Sequence, residues 1–112
     1  MKLVIASATF GSTHRLSTEG PHLHGHTFHV SATETALDSD MGDDLPGDLR
    51  AIVGELHLRS LDDMLIGGNQ TLDGIAAWLM ERLLVRHPGL SIVEVWTADR
   101  PDFRVGVRRE VR

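Results

Sequence analysis

At 112 residues the chain has the length of one domain, read here as a single unit spanning 1–112. Hydrophobic residues at 41% and charged residues at 24% describe a folded globule and exclude a disordered segment, while the absence of cysteine excludes disulfides, thiolate ligands and thiol nucleophiles. The formal net charge is -5 and the basic residues are scattered except for Arg108, Arg109 and Arg112, so no nucleic acid is expected as a partner.

Residues 2–10 (KLVIASATF) are rich in β-branched side chains and alternate as a strand does, and His14 falls just beyond them. This opening stretch has neither a signal-peptide profile nor the ~20 apolar residues of a membrane span, so the expected location is cytoplasmic, with no membrane partner. A second strand is predicted over 27–35, and residues 36–46 (ALDSDMGDDLP) read as an exposed acidic loop. Leu49, Ile52, Val53 and Leu56 then form one helical stripe after Pro46-Gly47-Asp48. A second stripe runs through Leu72, Ile75, Ala76, Leu79, Met80 and Leu83, with Thr71 as its N-cap, and should stop near Arg86-His87-Pro88-Gly89. Alternation returns over 90–98, placing Ile92, Glu94 and Trp96 on one face and Val93, Val95 and Thr97 on the other. After the turn-like Asp99-Arg100-Pro101-Asp102, a last strand covers 103–111. The order β-β-α-α-β-β is that of an α+β fold, an antiparallel sheet packed on two helices.

The segment GPHLHGHTFHV (20–30) is the densest chemistry in the chain, with His22, His24, His26 and His29 close together. Side chains two apart on a strand share a face, so His24 and His26 project together with Cα atoms ~7 Å apart. A third ligand is available from His14, which hairpin pairing would bring alongside, or from His22, which has the same parity; His29 has the opposite parity. Three neutral imidazoles and one open position are the donor set of a reactive Zn2+ site.

The succession Phe10-x-x-x-His14, Leu23-His24-Gly25-His26-Thr27-Phe28, Leu61-Asp62-Asp63-x-Leu65 and Asn69-Gln70-Thr71 resembles the 6-pyruvoyltetrahydropterin synthase and 6-carboxytetrahydropterin synthase family, in order and over nearly the whole chain. The resemblance implies the tunnelling fold, Zn2+ held by His14, His24 and His26, and a small-molecule substrate. It also implies a homo-oligomer, trimer or hexamer, whose sheets join as a barrel with sites between subunits. Known members act on dihydroneopterin triphosphate.

The sequence departs from the family where protons move. The family's cysteine position is Gly20, the relay histidine of its Leu-Asp-His triplet is Asp63, and the glutamate that anchors the pterin is replaced by Thr97, with Glu94 and Trp96 as the neighbouring alternatives. Asp62, Asp63 and His22 are the candidates for the lost acid and base work. The expected activity is therefore a zinc-dependent lyase, isomerase or cyclase on a small polar carbonyl or polyhydroxyl substrate. One alternative is a pterin side-chain lyase of altered outcome, its phosphates met by Arg15 or Arg50; another is a non-catalytic zinc-binding assembly subunit.

Overall fold

The computed structural model describes residues 2–15, 23–37, 42–60 and 71–111, with the side chains of residues 13–15, 23–25 and 59–60 outside the described set. Strands β1 (Lys2–Arg15) and β2 (Leu23–Ala36) pair antiparallel without interruption, from Lys2 opposite Ala36 to Arg15 opposite Leu23. Both exceed the spans 2–10 and 27–35 expected from alternation. Gly11, Ser12 and Thr13 carry little apolar signal, yet the register with β2 runs through them to Arg15 without a break. His14 thus lies within β1 and not beyond it.

Beyond β2 the chain forms α1 (Leu45–Gly54), β3 (Arg59–Ser60), α2 (Leu72–Leu84), β4 (Leu90–Thr97) and β5 (Val105–Arg108). Among the described residues the strand order is β3-β1-β2-β4-β5, antiparallel except for β3, which runs parallel to β1 at Ser12 and Thr13. The two-residue β3 has no periodicity by which sequence could announce it. β5 is shorter than the expected 103–111 because its pairing with β4 runs only from Ile92 opposite Arg108 to Val95 opposite Val105.

One sheet face packs on both helices. Ala6, Phe10, Phe28, Val30, Ala32, Val93 and Val95 are buried there against Leu45, Leu49, Val53, Ile75, Leu79 and Leu83. Phe10 and Phe28, paired in register, stack with centroids 5.0 Å apart. Alternation along β4 holds as the sequence implies, with one refinement: a bulge between Thr33 and Glu34 sets Leu90 opposite Glu34, and Leu90 joins the buried side. On the opposite face Leu3 and Ile5 stay about two-thirds exposed.

α1 begins one turn earlier than the Leu49 stripe suggests. Pro46 is tolerated in the first turn, where its missing N–H has no intrahelical partner in any case, and this lets Leu45 add to the buried stripe. In α2 the expected cap is present: the Gly74 N–H donates to Thr71 Oγ1 at 3.3 Å. Thr71→Ala should cost about 1 kcal/mol of unfolding free energy, read from a urea titration with unchanged m-value.

One polar cluster interrupts the core. Glu34, on the inward parity of β2, and His87, just past α2, are 2% and 4% exposed. His87 Nδ1 lies 2.9 Å from Glu34 Oε1 and its Nε2 lies 2.7 Å from Asp48 Oδ2 on α1. Arg86 donates to the other Asp48 oxygen at 2.8 Å. Sheet, first helix and the turn after the second helix are thereby joined through one imidazole.

Candidate metal centre

The β1–β2 register sets His14 directly opposite His24 and Ser12 opposite His26. Cross-strand partners share a face, as do residues two apart along a strand, so positions 14, 24 and 26 occupy one face, that of Phe10, Ser12 and Phe28. Opposite Cβ atoms in such a pair lie ~5 Å apart and diagonal ones ~7–8 Å, spacings from which three imidazoles can meet on one ion. The side chains of His14 and His24 lie outside the described set, and among the described residues no group of three His, Cys, Asp or Glu forms a metal cluster. His14 therefore meets the register condition. His22 lies outside the described residues.

His26 is the ligand candidate whose side chain is described. Its ring is mostly shielded, lies edge-on to Phe28 with centroids 5.7 Å apart, and turns Nδ1 toward Asp99 Oδ1 at 3.9 Å. The neighbouring backbone is held on two sides. Ser12, opposite His26, donates its hydroxyl hydrogen to the Leu56 carbonyl at the exit of α1. The Gly11 N–H donates to His57 Nδ1 at 3.0 Å and the Leu58 N–H to the Gly11 carbonyl at 2.6 Å. On the β4 side, the Ala98 N–H donates to the Thr27 carbonyl at 2.9 Å and fixes the β4–β5 turn beside the ligand strand.

Asp62 and Asp63 lie outside the described residues. Ser60, two residues before Asp62, pairs with Thr13, next to His14. The three alternatives on β4 separate by face. Thr97 pairs with Phe28 and shares the histidine face, whereas Glu94 and Trp96 occupy the opposite one. Trp96 is half-buried there, with His29 stacked at 5.5 Å and 13° and the Arg104 guanidinium 3.8 Å from its ring centre. Arg50 lines a cleft of about 650 Å3 at β1, together with Ser7, Thr9, His29 and His57; the side chain of Arg15 is outside the described set.

Asp99 is the residue that sequence reasoning missed, since Asp99-Arg100-Pro101-Asp102 reads only as a turn. The Thr97 hydroxyl, then the backbone amide of Asp99 itself and the charges of His26 and Arg100, hold the Asp99 carboxyl below the usual aspartate range. A sequence signal existed only indirectly: a hydroxyl two residues before an aspartate at a strand end is a local hydrogen-bond pattern, with nothing in it to specify His26.

Comparison with solved structures identifies the architecture. The chain is similar to 6-pyruvoyl tetrahydropterin synthase of Caenorhabditis elegans, with TM-score 0.76 and 17% identity over 98% of each chain. It is also similar to an uncharacterized protein of Wolinella succinogenes, with TM-score 0.72 and 18% identity over 97% of this chain and 98% of that one. The 6-pyruvoyl tetrahydropterin synthase of Plasmodium falciparum aligns with TM-score 0.60 and 13% identity over 97% of this chain and 99% of that one. No protein-family model matches the sequence, and no curated protein matches it. The chain has the 6-pyruvoyl tetrahydropterin synthase fold, as the motif resemblance implied, over nearly its full length.

Proposed function

We propose that this protein is a metal-dependent enzyme of the tunnelling fold that removes a carbon-bound proton from a small polar carbonyl or polyhydroxyl substrate. The observation that carries the reading is the register of β1 and β2, which sets His14 against His24 with His26 on the same face. Imidazole donors suit Zn2+, and a divalent ion on three of them supplies a Lewis acid for substrate oxygens at its remaining position.

Within this reading the chain's own groups divide the work. His14, His24 and His26 bind. Asp62 takes the proton, becoming a neutral carboxyl, while the C–H electron pair forms the new carbon–carbon π bond and the carbonyl π pair moves onto oxygen. Asp63 and His22 are the further candidates for returning a proton on the other side, and Thr97, the β4 candidate on the histidine face, contacts the substrate. A catalytic carboxylate has a parallel in the fold, since a glutamate is a catalytic residue of the Plasmodium vivax 6-pyruvoyltetrahydropterin synthase. The homo-oligomer belongs to the same proposal: among the described residues β1 is paired along its outer edge only at Ser12 and Thr13, and β5 pairs only with β4, so each copy offers two sheet edges for ring closure.

The test is proton exchange. Metal-loaded protein in D2O should wash deuterium into the carbon next to a ketose or aldose carbonyl, and stripping the metal should stop it. Exchange confined to dihydroneopterin triphosphate would instead support the pterin side-chain reading. Metal-loaded oligomer that exchanges neither class of compound would overturn the catalytic reading in favour of an assembly subunit.

A further inference from the structure

The β4–β5 turn presents a carboxylate to the ligand strand, and no motif of the sequence assigns it a role. Asp99 follows the end of β4 by two residues, and its Oδ1 stands 3.9 Å from Nδ1 of His26. Three observations make this approach more than a chance surface neighbour. The Ala98 N–H bond to the Thr27 carbonyl locks the turn beside the residue that follows His26. The Thr97 hydroxyl and the backbone amide of Asp99 itself keep the carboxyl ionised by holding it below the usual aspartate range, so the group that faces His26 is an acceptor. Phe28 confines the His26 ring from the side, which limits the ring's rotation.

Resting on the metal site proposed above, we propose that Asp99 is a positioning residue for His26: its carboxylate takes the Nδ1 hydrogen of the imidazole and leaves Nε2 directed at the metal. An imidazole whose second nitrogen is bonded to a carboxylate is fixed in tautomer and orientation and becomes a stronger donor. A shift of about 1 Å closes the 3.9 Å separation to a charge-assisted hydrogen bond, and Asp99, two-thirds exposed, is free to make it by side-chain rotation. Thr97 acquires a second part in this arrangement as the hydroxyl that steadies Asp99.

Zinc affinity measured by competition with a chromogenic chelator tests the proposal, with the wild-type chain, Asp99→Ala, Asp99→Asn, Thr97→Val and His24→Ala. Asp99→Ala should weaken zinc binding roughly 10- to 100-fold. Asp99→Asn, which keeps an acceptor oxygen without the charge, should fall between Asp99→Ala and wild type, and Thr97→Val should lose less than either. The thermal midpoint of the metal-free protein should not move in any of the three, since a structural role would appear there. In the zinc-loaded wild type, 15N spectra should show His26 with its hydrogen on Nδ1. An Asp99→Ala affinity within twofold of wild type, or a hydrogen on Nε2, overturns the role of Asp99 while leaving the metal site standing. Wild-type protein that takes up no zinc, or His24→Ala protein that takes up as much, removes the metal site and this proposal with it.

Discussion

Replacing His24 by alanine is expected to abolish stoichiometric zinc in protein purified without chelator, with the affinity falling by more than about 100-fold, because even an outer partner of a metal-bound histidine is worth 10–100-fold. His24 is the centre of the proposed triad: it faces His14 directly across the ladder and shares its own strand face with His26. Removing it leaves two imidazoles on a diagonal, a pair that seldom retains a divalent ion against water. The apo variant should fold normally, since position 24 lies near the end of a ribbon whose apolar core sits further along at Phe10, Phe28 and Val30. The measurement is metal content by elemental analysis beside far-ultraviolet circular dichroism. Undiminished zinc in a folded His24→Ala protein would place the metal elsewhere.

A larger effect on stability is expected from His87→Ala. With the imidazole gone, Glu34 keeps a carboxylate at 2% exposure without the ring that meets it at 2.9 Å. Breaking a buried pair by removing one partner costs about 3–5 kcal/mol. For a domain of this length that is a fall in melting temperature on the order of 10–20 °C. Asp48 contributes less to the loss, since it is partly exposed and retains Arg86. The double variant Glu34→Ala/His87→Ala should be less damaged than the sum of the two single ones, because the second change removes the charge that the first stranded. Additive losses, or a His87→Ala loss below about 1 kcal/mol, would mean that water reaches Glu34.

What sequence could show depended on how local the cause was. The α2 stripe and its Thr71 cap are decided within four residues, and they appear as read. The alternation of Val93 and Val95 against Ile92, Glu94 and Trp96 is equally local, and it survives except where the bulge turns Leu90 inward. The second half of β1 was not legible, because Gly11, Ser12 and Thr13 enter the sheet through ladder hydrogen bonds and not through apolar patterning. The Glu34–His87–Asp48 cluster joins residues 39 and 53 positions apart, and its one trace in the sequence is a glutamate on the inward parity of Phe28, Val30 and Ala32. The pairing of His24 with His14 was legible as a hairpin consequence, whereas the approach of Asp99 to His26 depends on a turn that β4, more than sixty residues later in the chain, brings beside β2.

Strand β2 bears the proposed ligand positions His24 and His26 near its start and Glu34 near its end. At about 3.3 Å per residue, His26 and Glu34 are roughly 26 Å apart, beyond the reach of any shared side-chain partner. Damage at the two extremities should therefore sum independently in free energy. Substitutions around His24 and His26 can then accumulate while the far anchorage at Glu34 keeps the molecule folded. Divergent chemistry on an unchanged scaffold is the evolutionary course that this division of one strand permits.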